Sequence, residues 1–437
     1  MTYVKFLGGC QKVGASAVLV EHAGTRVLLD YGVAFNGDRR VPLPTSTRNL
    51  TAVLSHAHLD HSGSLPLIAG SHTNNVPIYS TALTRAMLRL LLGDMLRING
   101  DHLAFEKREV QQLLKNTQTL TYGQTQQVNP KIKITLRDAG HIPGSASILV
   151  ETERNGSGPA RILYTGDLNT TDTQLTKGAG NIRELGELDL VIVESTYALH
   201  DHPPRKEVEQ RFTEAVKSTL ETNGTALVPS FAVGRAQEVL SVLYKNRNLG
   251  LDYPIYIDGM ARSVTKVMLQ HLKGFTGGTQ LQQAVKYATF VRKEKDRRQA
   301  LEEPSIIIAP AGMLKGGSAQ RYLRAIAQDS RSQILLVGKQ LPGTPGAELL
   351  ETGNLPVHSR DGTSRQIRVK AKVDSFDFSC HVGRSQVLEF LRNVKGDPTI
   401  LTMHGDPKSC QSLASTLHTM HGFNATSPFE GQVLKLN

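Results

Sequence analysis

The chain has 437 residues, which is about three times the length of a typical single domain, so two domains or one large insertion are expected. Hydrophobic residues make up 39% and charged residues 20%, as in folded globular proteins, and no apolar run approaches the roughly 20 residues of a membrane span. The net charge of +11 favours a polyanionic partner. These figures argue against a membrane protein and make nucleic acid the leading partner class.

The cysteines and the amino terminus favour a cytoplasmic location. Cys10, Cys380 and Cys410 form an odd and scattered set, which argues against a disulfide framework and fits a reducing compartment. The first six residues lack the basic region and the long apolar run of a signal peptide. We therefore expect no export.

Short runs rich in valine and isoleucine alternate with helix-period segments and glycine-rich turns, which is typical of an α/β protein. In chain order, the runs predict strands at 27–29, 52–54, 132–136, 162–164, 190–193, 226–228, 255–257, 306–308, 334–337 and 400–403. No internal repeat of about 20 to 50 residues is visible. Candidate metal ligands occur early and again very late in the chain, so a second α/β unit is expected as an insertion at about residues 200–372.

Four metal-binding side chains fall within six residues directly after the run at 52–54, namely His56, His58, Asp60 and His61. At a strand end, the first two can face one ion while the last two turn toward a second ion. Imidazole and carboxylate groups suit zinc, and zinc sites that keep an open position are catalytic. The alternative is a solvated loop that is rich in histidine by chance, and the H-x-H-x-D-H spacing disfavours it.

Two later segments supply further candidates. His141 lies in a glycine-flanked loop between two predicted strands, where it completes a three-histidine set with the first two ligands. Asp167 follows the strand predicted at 162–164, and its two carboxylate oxygens can bridge two cations. On its own, this aspartate would be interpreted as a turn residue.

The last predicted strand ends before His404, which is available to the second ion. Asp30 also ends a strand, and we expect it to act indirectly, by orienting a ligand histidine or supporting the loop. The predicted ligands of two zinc ions per chain are His56, His58, Asp60, His61, His141, Asp167 and His404.

In order and spacing, these residues resemble the metallo-β-lactamase superfamily over essentially the whole chain. More narrowly, three segments resemble motifs A, B and C of the beta-CASP nucleases: Glu194-Ser195-Thr196-Tyr197 followed by His202, Arg205 and Glu209, then Phe378-Ser379-Cys380-His381, then Met403-His404-Gly405-Asp406. The segments 229–238 and 312–317 resemble two further landmarks of that family. The similarity is greatest to archaeal and bacterial relatives of the endonuclease subunit of the cleavage and polyadenylation specificity factor, in a form without KH domains.

The resemblance implies an α/β fold, a metallo-β-lactamase αββα sandwich at 1–199 and 373–437 with an inserted α/β beta-CASP domain at 200–372. It implies a zinc-dependent ribonuclease that hydrolyses phosphodiester bonds of single-stranded RNA as an endonuclease, in RNA processing or 3′-end formation. A 5′-to-3′ exoribonuclease of the ribonuclease J type is the alternative. A non-catalytic RNA-binding subunit and a small-molecule hydrolase of the lactamase or glyoxalase type are weaker ones.

The resemblance also assigns catalytic roles to Asp60, Glu194 and His381. His381 would protonate the leaving oxygen or bind the scissile phosphate, while Glu194 holds its imidazole protonated. Two positions depart from the family pattern. His381 is followed by Val382-Gly383 instead of Ala-Asp, and Ala347 stands where the family commonly has arginine.

Three residues are expected to contact RNA. Ser230 and Arg235 lie in a Pro-Ser-Phe-Ala-Val-Gly-Arg segment at a predicted helix start, where backbone amides bind phosphate. Lys315 lies in a second glycine-rich segment, for which a plain turn is an equal interpretation. The basic run at 292–298 is predicted to be a solvated helix face.

Aromatic residues make up 5% with no tryptophan, so contacts to the RNA backbone are expected to exceed base stacking. The expected partner is single-stranded RNA, without a membrane. A homodimer and an assembly with related beta-CASP subunits both remain open.

Overall fold

The computed structural model describes residues 1–34, 40–69, 75–154, 156, 158–249, 252–358 and 364–436. These residues divide into two compact units. Unit 1 comprises Met1–Asp172, Thr176–Asp201 and Cys380–Asn437, and unit 2 comprises Thr173–Leu175 and His202–Ser379. The predicted α/β class is confirmed, and each of the ten runs predicted as strands overlaps a strand. No helix in the described ranges is long and apolar enough to cross a membrane.

The strands are β1 Thr2–Gly8, β2 Ala17–His22, β3 Thr25–Leu29, β4 Leu50–Val53, β5 Ile78–Ser80, β6 Thr117–Thr119, β7 Thr125–Asn129, β8 Ile132–Asp138, β9 Ala146–Thr152, β10 Ala160–Tyr164, β11 Leu190–Glu194, β12 Ala226–Pro229, β13 Ile255–Ile257, β14 Ala288–Phe290, β15 Ile306–Ala309, β16 Gln333–Leu336, β17 Asn354–His358, β18 Ser364–Arg368, β19 Lys372–Ser375, β20 Thr399–Met403, β21 Ala425–Thr426 and β22 Val433–Leu436.

The α-helices are α1 Leu59–Ser62, α2 Leu65–Ala69, α3 Ala82–Asn99, α4 Lys107–Asn116, α5 Arg205–Glu221, α6 Arg235–Lys245, α7 Gly259–Leu269, α8 Gly278–Ala284, α9 Glu294–Glu302, α10 Ala319–Ile326, α11 Pro345–Thr352, α12 Arg384–Arg392 and α13 Pro407–His421. Short 3-10 turns lie at Gly100–His102, Ile182–Leu185, Arg247–Leu249, Leu272–Gly274 and Val285–Tyr287.

Unit 1 is a sandwich of two mixed sheets, in the orders β22-β1-β2-β3-β4-β5-β6 and β21-β20-β11-β10-β9-β8-β7. Alternation along each strand sends every second side chain to the interface, so that Val18 and Val20 of the first sheet join Leu190 and Ile192 of the second in one buried cluster. The other faces pack against helices α2 to α4 and against α12 and α13. Unit 1 therefore has the predicted αββα layers.

Parallel pairing in unit 1 gathers several strand ends. In the second sheet β10 pairs in parallel with β11, and β11 with β20, so that Glu194 lies opposite Met403. In the first sheet β3 pairs in parallel with β4. Because the carboxyl ends of parallel strands meet at one edge, residues that follow these strands are brought together although they are far apart in the chain.

Unit 2 contains a parallel six-stranded sheet in the order β14-β13-β15-β12-β16-β19, beside the hairpin β17-β18. Leu227 and Ile307 on one face join a buried cluster with Tyr322 of α10 and Leu349 of α11. Helices α5, α6 and α7 also contact the sheet. Burial of both faces explains why its central strands are continuous apolar runs.

The predicted basic helix and the cysteines follow the expected pattern. Residues 294–298 of the basic run lie in α9, and Arg297 donates hydrogen bonds to Asp258. All three cysteines are free and buried.

Candidate metal centre

The first predicted ligand set converges in unit 1. The Nδ1 atom of His58 lies 3.2 Å from the Nε2 atom of His56 and 3.2 Å from that of His141. Asp167 Oδ2 lies 3.4 Å from His56 Nε2 and 3.6 Å from His141 Nε2. Three nitrogen atoms and one oxygen atom therefore surround one point, and these four residues could hold a metal ion.

The second set adjoins the first. His404 Nε2 lies 3.2 Å from His61 Nε2 and 3.5 Å from Asp60 Oδ2. Asp167 turns its other oxygen, Oδ1, to this side, at 3.1 Å from His61 Nε2 and 3.2 Å from His404 Nδ1. Asp60, His61 and His404 form a second group that could hold an ion. All seven predicted ligands thus lie in one place, with Asp167 between the two sets.

These distances fit zinc. Ligand atoms about 2.1 Å from a tetrahedral zinc ion lie about 3.4 Å from one another, which matches the separations within both sets. The Oδ1 atom of Asp167 is buried, and imidazole nitrogens of His61 and His404 lie 3.1 and 3.2 Å from it. A buried carboxylate costs free energy unless positive charge faces it. The site is therefore built for cations.

Burial lowers the pKa of three of the imidazoles, those of His56, His58 and His141, and so favours their neutral form. Burial, together with the charge of His56, lowers the pKa of His58 to about 3. Burial and the neighbouring His381 lower the pKa of His141 well below its ordinary value. Neutral imidazole is the form that binds metals.

The carboxylates favour positive charge at the second set. Burial opposes ionisation of Asp167, but His61 and His404 hold its pKa well below the usual range. Burial alone would lower the pKa of His61, and the carboxylates of Asp167 and Asp30 outweigh this effect and raise it. A cation held by these residues would supply the positive charge that this arrangement favours.

Asp30 orients the second set from behind. Its Oδ2 atom lies 2.7 Å from His61 Nδ1 and accepts hydrogen bonds from Ser55 Oγ at 2.7 Å and from Tyr164 Oη at 2.9 Å. Its Oδ1 atom accepts a hydrogen bond from the Ser55 amide at 2.7 Å. With Nδ1 facing this carboxylate, His61 turns Nε2 toward the ligand set.

Sequence reasoning missed two further contacts that orient histidines. His141 Nδ1 lies 2.7 Å from the carbonyl oxygen of Cys380, so it donates and leaves Nε2 free for a cation. Thr196 Oγ1 lies 3.3 Å from His404 Nδ1 and donates to the His404 carbonyl at 3.1 Å. A backbone carbonyl carries no sequence signal, whereas Thr196 is in the segment that resembles motif A.

Glu194 and His381 form a pair beside the ligand sets. His381 Nδ1 lies 3.0 and 2.9 Å from the two carboxylate oxygens of Glu194, and its ring centroid lies 4.5 Å from that of His141. Glu194 is buried and also accepts a hydrogen bond from the Leu168 amide at 2.6 Å. Burial alone would lower the pKa of His381, and Glu194 outweighs this effect and raises it.

The structure explains how His381 is held although Val382-Gly383 replaces the Ala-Asp of the family pattern. The Val382 amide donates to the Leu168 carbonyl at 2.8 Å, and the Gly383 amide donates to Gln386 Oε1 at the start of α12. Leu168 is also the residue whose amide holds Glu194. The backbone therefore fixes His381 against its carboxylate without an aspartate at position 383. At the other departure, Ala347 is buried in the first turn of α11.

The three residues predicted to contact RNA lie at the carboxyl edge of the unit 2 sheet. Ser230 follows β12, and its buried hydroxyl has no hydrogen-bond partner among the described residues. Arg235 is the first residue of α6, and Lys315 is exposed between Leu314 and Gly316, which both have positive φ. The Gly312 carbonyl after β15 accepts a hydrogen bond from Gln340 after β16.

The fold and the site together define a metal-dependent hydrolase of the metallo-β-lactamase type. Residues 19–197 match the Metallo-beta-lactamase superfamily domain, residues 236–349 match the Beta-Casp domain, and residues 366–428 match the Zn-dependent metallo-hydrolase RNA specificity domain.

Several proteins are similar to this chain over nearly its whole length. RNase aCSPSF2 of Saccharolobus solfataricus is 37% identical over 99% of this chain and 85% of its own length. Probable RNase MJ4 of Methanocaldococcus jannaschii is 35% identical over 99% of both chains. Transcription termination factor FttA of Pyrococcus abyssi is 33% identical over 98% of this chain and 70% of its own length. The chain belongs to the beta-CASP family of metallo-β-lactamase nucleases, which confirms the resemblance.

A solved structure shows the same fold. The crystal structure of a protein of unknown function from Enterococcus faecalis V583 matches with a TM-score of 0.62 and 14% identity over 100% of both chains. At this identity, the match supports the fold alone.

Proposed function

We propose that this chain is a zinc-dependent ribonuclease that cuts single-stranded RNA internally. The convergence of two ligand sets on the two oxygens of Asp167 carries the proposal. The match of residues 366–428 to an RNA specificity domain and the relatives named RNases point to RNA as the substrate class. We further propose the domain bounds 1–199 and 373–437 for the metallo-β-lactamase part and 200–372 for the beta-CASP part.

We assign two zinc ions per chain. His56, His58 and His141 would hold one ion and Asp60, His61 and His404 the other, with Asp167 as a ligand shared by both sets. When bound, such a metal pair supplies Lewis-acid stabilisation of a phosphoryl group and activates a water molecule. Asp30 keeps His61 in the orientation that the second set requires.

His381 is the proton donor in this proposal. Hydrolysis of a phosphodiester leaves an alkoxide oxygen that must be protonated. Glu194 contacts only Nδ1 of the imidazole and favours its protonated form, so Nε2 can donate to the leaving oxygen. Asp60 would serve catalysis as a ligand of the second ion, and its side chain is 20% exposed while those of His61 and Asp167 are buried.

Ser230, Arg235 and Lys315 bind phosphate groups of the RNA in this proposal. All three follow strands β12 and β15 at the carboxyl edge of a parallel sheet, where α/β folds place ligand sites. The Ser230 hydroxyl, which has no hydrogen-bond partner among the described residues, suits an anion.

The test compares the zinc-loaded chain with its Asp60→Ala variant on a single-stranded RNA that carries separate labels at its two ends. We expect internal cleavage products from the unmodified chain and none from the Asp60→Ala variant. The Arg298→Ala variant is the control for effects of protein preparation. Release of single nucleotides from the 5′ end would show instead that the chain is a 5′-to-3′ exonuclease. Equal cleavage by the Asp60→Ala variant would contradict the proposal.

A further inference from the structure

Unit 2 has a polar pocket at the amino edge of its parallel sheet. The pocket has a volume of about 520 Å³. Its polar and aromatic lining residues are Tyr244, Arg247, Asn248, Asp252, Tyr253 and Tyr287. Pockets of this size hold small molecules or single units of a polymer.

Two tyrosines and an arginine form a stack in this pocket. The ring centroids of Tyr244 and Tyr287 are 5.6 Å apart with planes inclined by 34°. The guanidinium carbon of Arg247 lies 4.4 Å from the Tyr287 centroid and 5.9 Å from the Tyr244 centroid. The three flat groups define a surface of π faces and positive charge.

The stack is accessible and its arginine is uncommitted. Tyr287 is 49% exposed, and Arg247 is exposed. Within the described ranges, no carboxylate forms an ion pair with Arg247 and no group accepts a hydrogen bond from it. Arg205 and Arg297 of the same unit, in contrast, are both paired with buried carboxylates. The N–H donors of Arg247 are thus available to a ligand.

The pocket is distinct from the loops to which phosphate binding was assigned. Tyr287 directly precedes β14, and Tyr253 lies just before β13, so both lie at the amino edge of the parallel sheet. Ser230 and Lys315 follow β12 and β15 at the opposite edge. One phosphate or base cannot contact both places.

We propose that this pocket binds a nucleobase and its neighbouring phosphate in single-stranded RNA, as a second RNA-binding site of the proposed ribonuclease. Bases stack on aromatic rings and guanidinium planes whatever their identity. Arg247 also provides N–H donors for a phosphate, and Asn248 and Asp252 provide hydrogen-bonding groups for a base edge. The site adds affinity for RNA that extends beyond the segment being cut.

The absence of tryptophan from the sequence gives a direct probe. The Tyr287→Trp variant carries a single tryptophan whose fluorescence reports stacking. We expect quenching by adenosine 5′-monophosphate and by a 12-nucleotide RNA, but not by inorganic phosphate. Unchanged fluorescence with the nucleotide and with the RNA would overturn the proposal, as would equal quenching by inorganic phosphate.

Affinity variants test the role of the arginine. In the Tyr287→Trp background, Arg247→Ala should weaken RNA binding about tenfold, since one stacked contact is lost. Arg298→Ala removes an exposed charge from α9 of the same unit and should change affinity less than twofold. If both arginine variants lost the same RNA affinity, the loss would reflect the net charge of the unit, and the proposal would be overturned.

Cleavage separates this inference from the proposed function on which it rests. Arg247→Ala should raise KM for a long RNA and leave kcat and metal content unchanged. If the unmodified chain cleaves RNA while Tyr287→Trp shows no quenching, only the second site fails. If the chain neither binds nor cleaves RNA, the proposed function fails and the nucleotide titration still decides whether this pocket binds a base.

Discussion

Replacing Asp30 with asparagine tests how far the centre depends on a residue that does not itself contact the ions. Asparagine has nearly the same volume and tolerates the left-handed backbone of this position, where φ is 59°. The carboxylate faces the Ser55 amide, the Ser55 hydroxyl, the Tyr164 hydroxyl and His61 Nδ1. An amide offers one oxygen to these donors and turns its own NH₂ group toward the rest.

The expected magnitude follows from these contacts. With the amide oxygen at the Oδ2 position, the hydrogen bond from the Ser55 amide is lost and the other three contacts lose their charged acceptor. A hydrogen bond to a charged group contributes about 1.5 to 3 kcal/mol. Relief of the carboxylate's desolvation offsets part of this loss. We expect a net decrease of about 3 kcal/mol in the free energy of unfolding. With His61 no longer held, the affinity for the second metal ion should fall about 10- to 100-fold.

Urea denaturation of the chelator-treated protein measures the first quantity, and zinc competition with a chelator measures the second. Tyr164→Phe is the matched control because it removes one hydrogen bond and leaves the contact of Asp30 with His61 in place. It should cost about 1 kcal/mol and leave zinc affinity unchanged. If Asp30→Asn binds both ions as tightly as the unmodified chain, the orienting role is refuted.

Three further substitutions probe other parts of the structure. His381→Ala should keep both zinc ions and slow cleavage by about 10²- to 10⁴-fold, which is the range for loss of a general acid. Loss of metal from this variant would identify His381 as a ligand. Gly166→Ala should lower the free energy of unfolding in urea by about 1 to 3 kcal/mol, because φ at this position is 57° and the added Cβ would lie 2.8 Å from Ser55 Cβ. An unchanged urea midpoint would contradict this prediction. Arg235→Ala should weaken binding to RNAs of different sequence equally and reduce the slope of log affinity against log salt by about 0.7, with an unchanged slope indicating a structural role.

Local patterns account for what the sequence predicted well. The apolar runs are buried strands, and the H-x-H-x-D-H segment directly follows one of them, so its ligand types and spacing are visible without a structure. Family resemblance added the layer order and pointed to Glu194 and His381. The contact between these two residues is made across 187 positions of chain, which no local pattern encodes.

Contacts through the backbone and across sheets were beyond the sequence. The Cys380 carbonyl that orients His141 has no sequence signature, and the approach of His404 depends on the parallel pairing of β11 with β20. That backbone contacts exceed base stacking stays a prediction from the low aromatic content, but the sequence did not show that Tyr244 and Tyr287 come together across more than 40 residues beside Arg247. Composition cannot show such clustering.

The central claim is tested most directly by titrating zinc into the metal-free chain and, in parallel, into its Asp167→Ala variant. Bound metal and RNA cleavage are measured in the same samples. The unmodified chain should bind two ions and gain cleavage as the pair fills, because Asp167 faces both ligand sets. The variant should bind less zinc and cut no RNA. Full cleavage by the variant with two ions bound, or equal cleavage by the metal-free chain, would contradict the account.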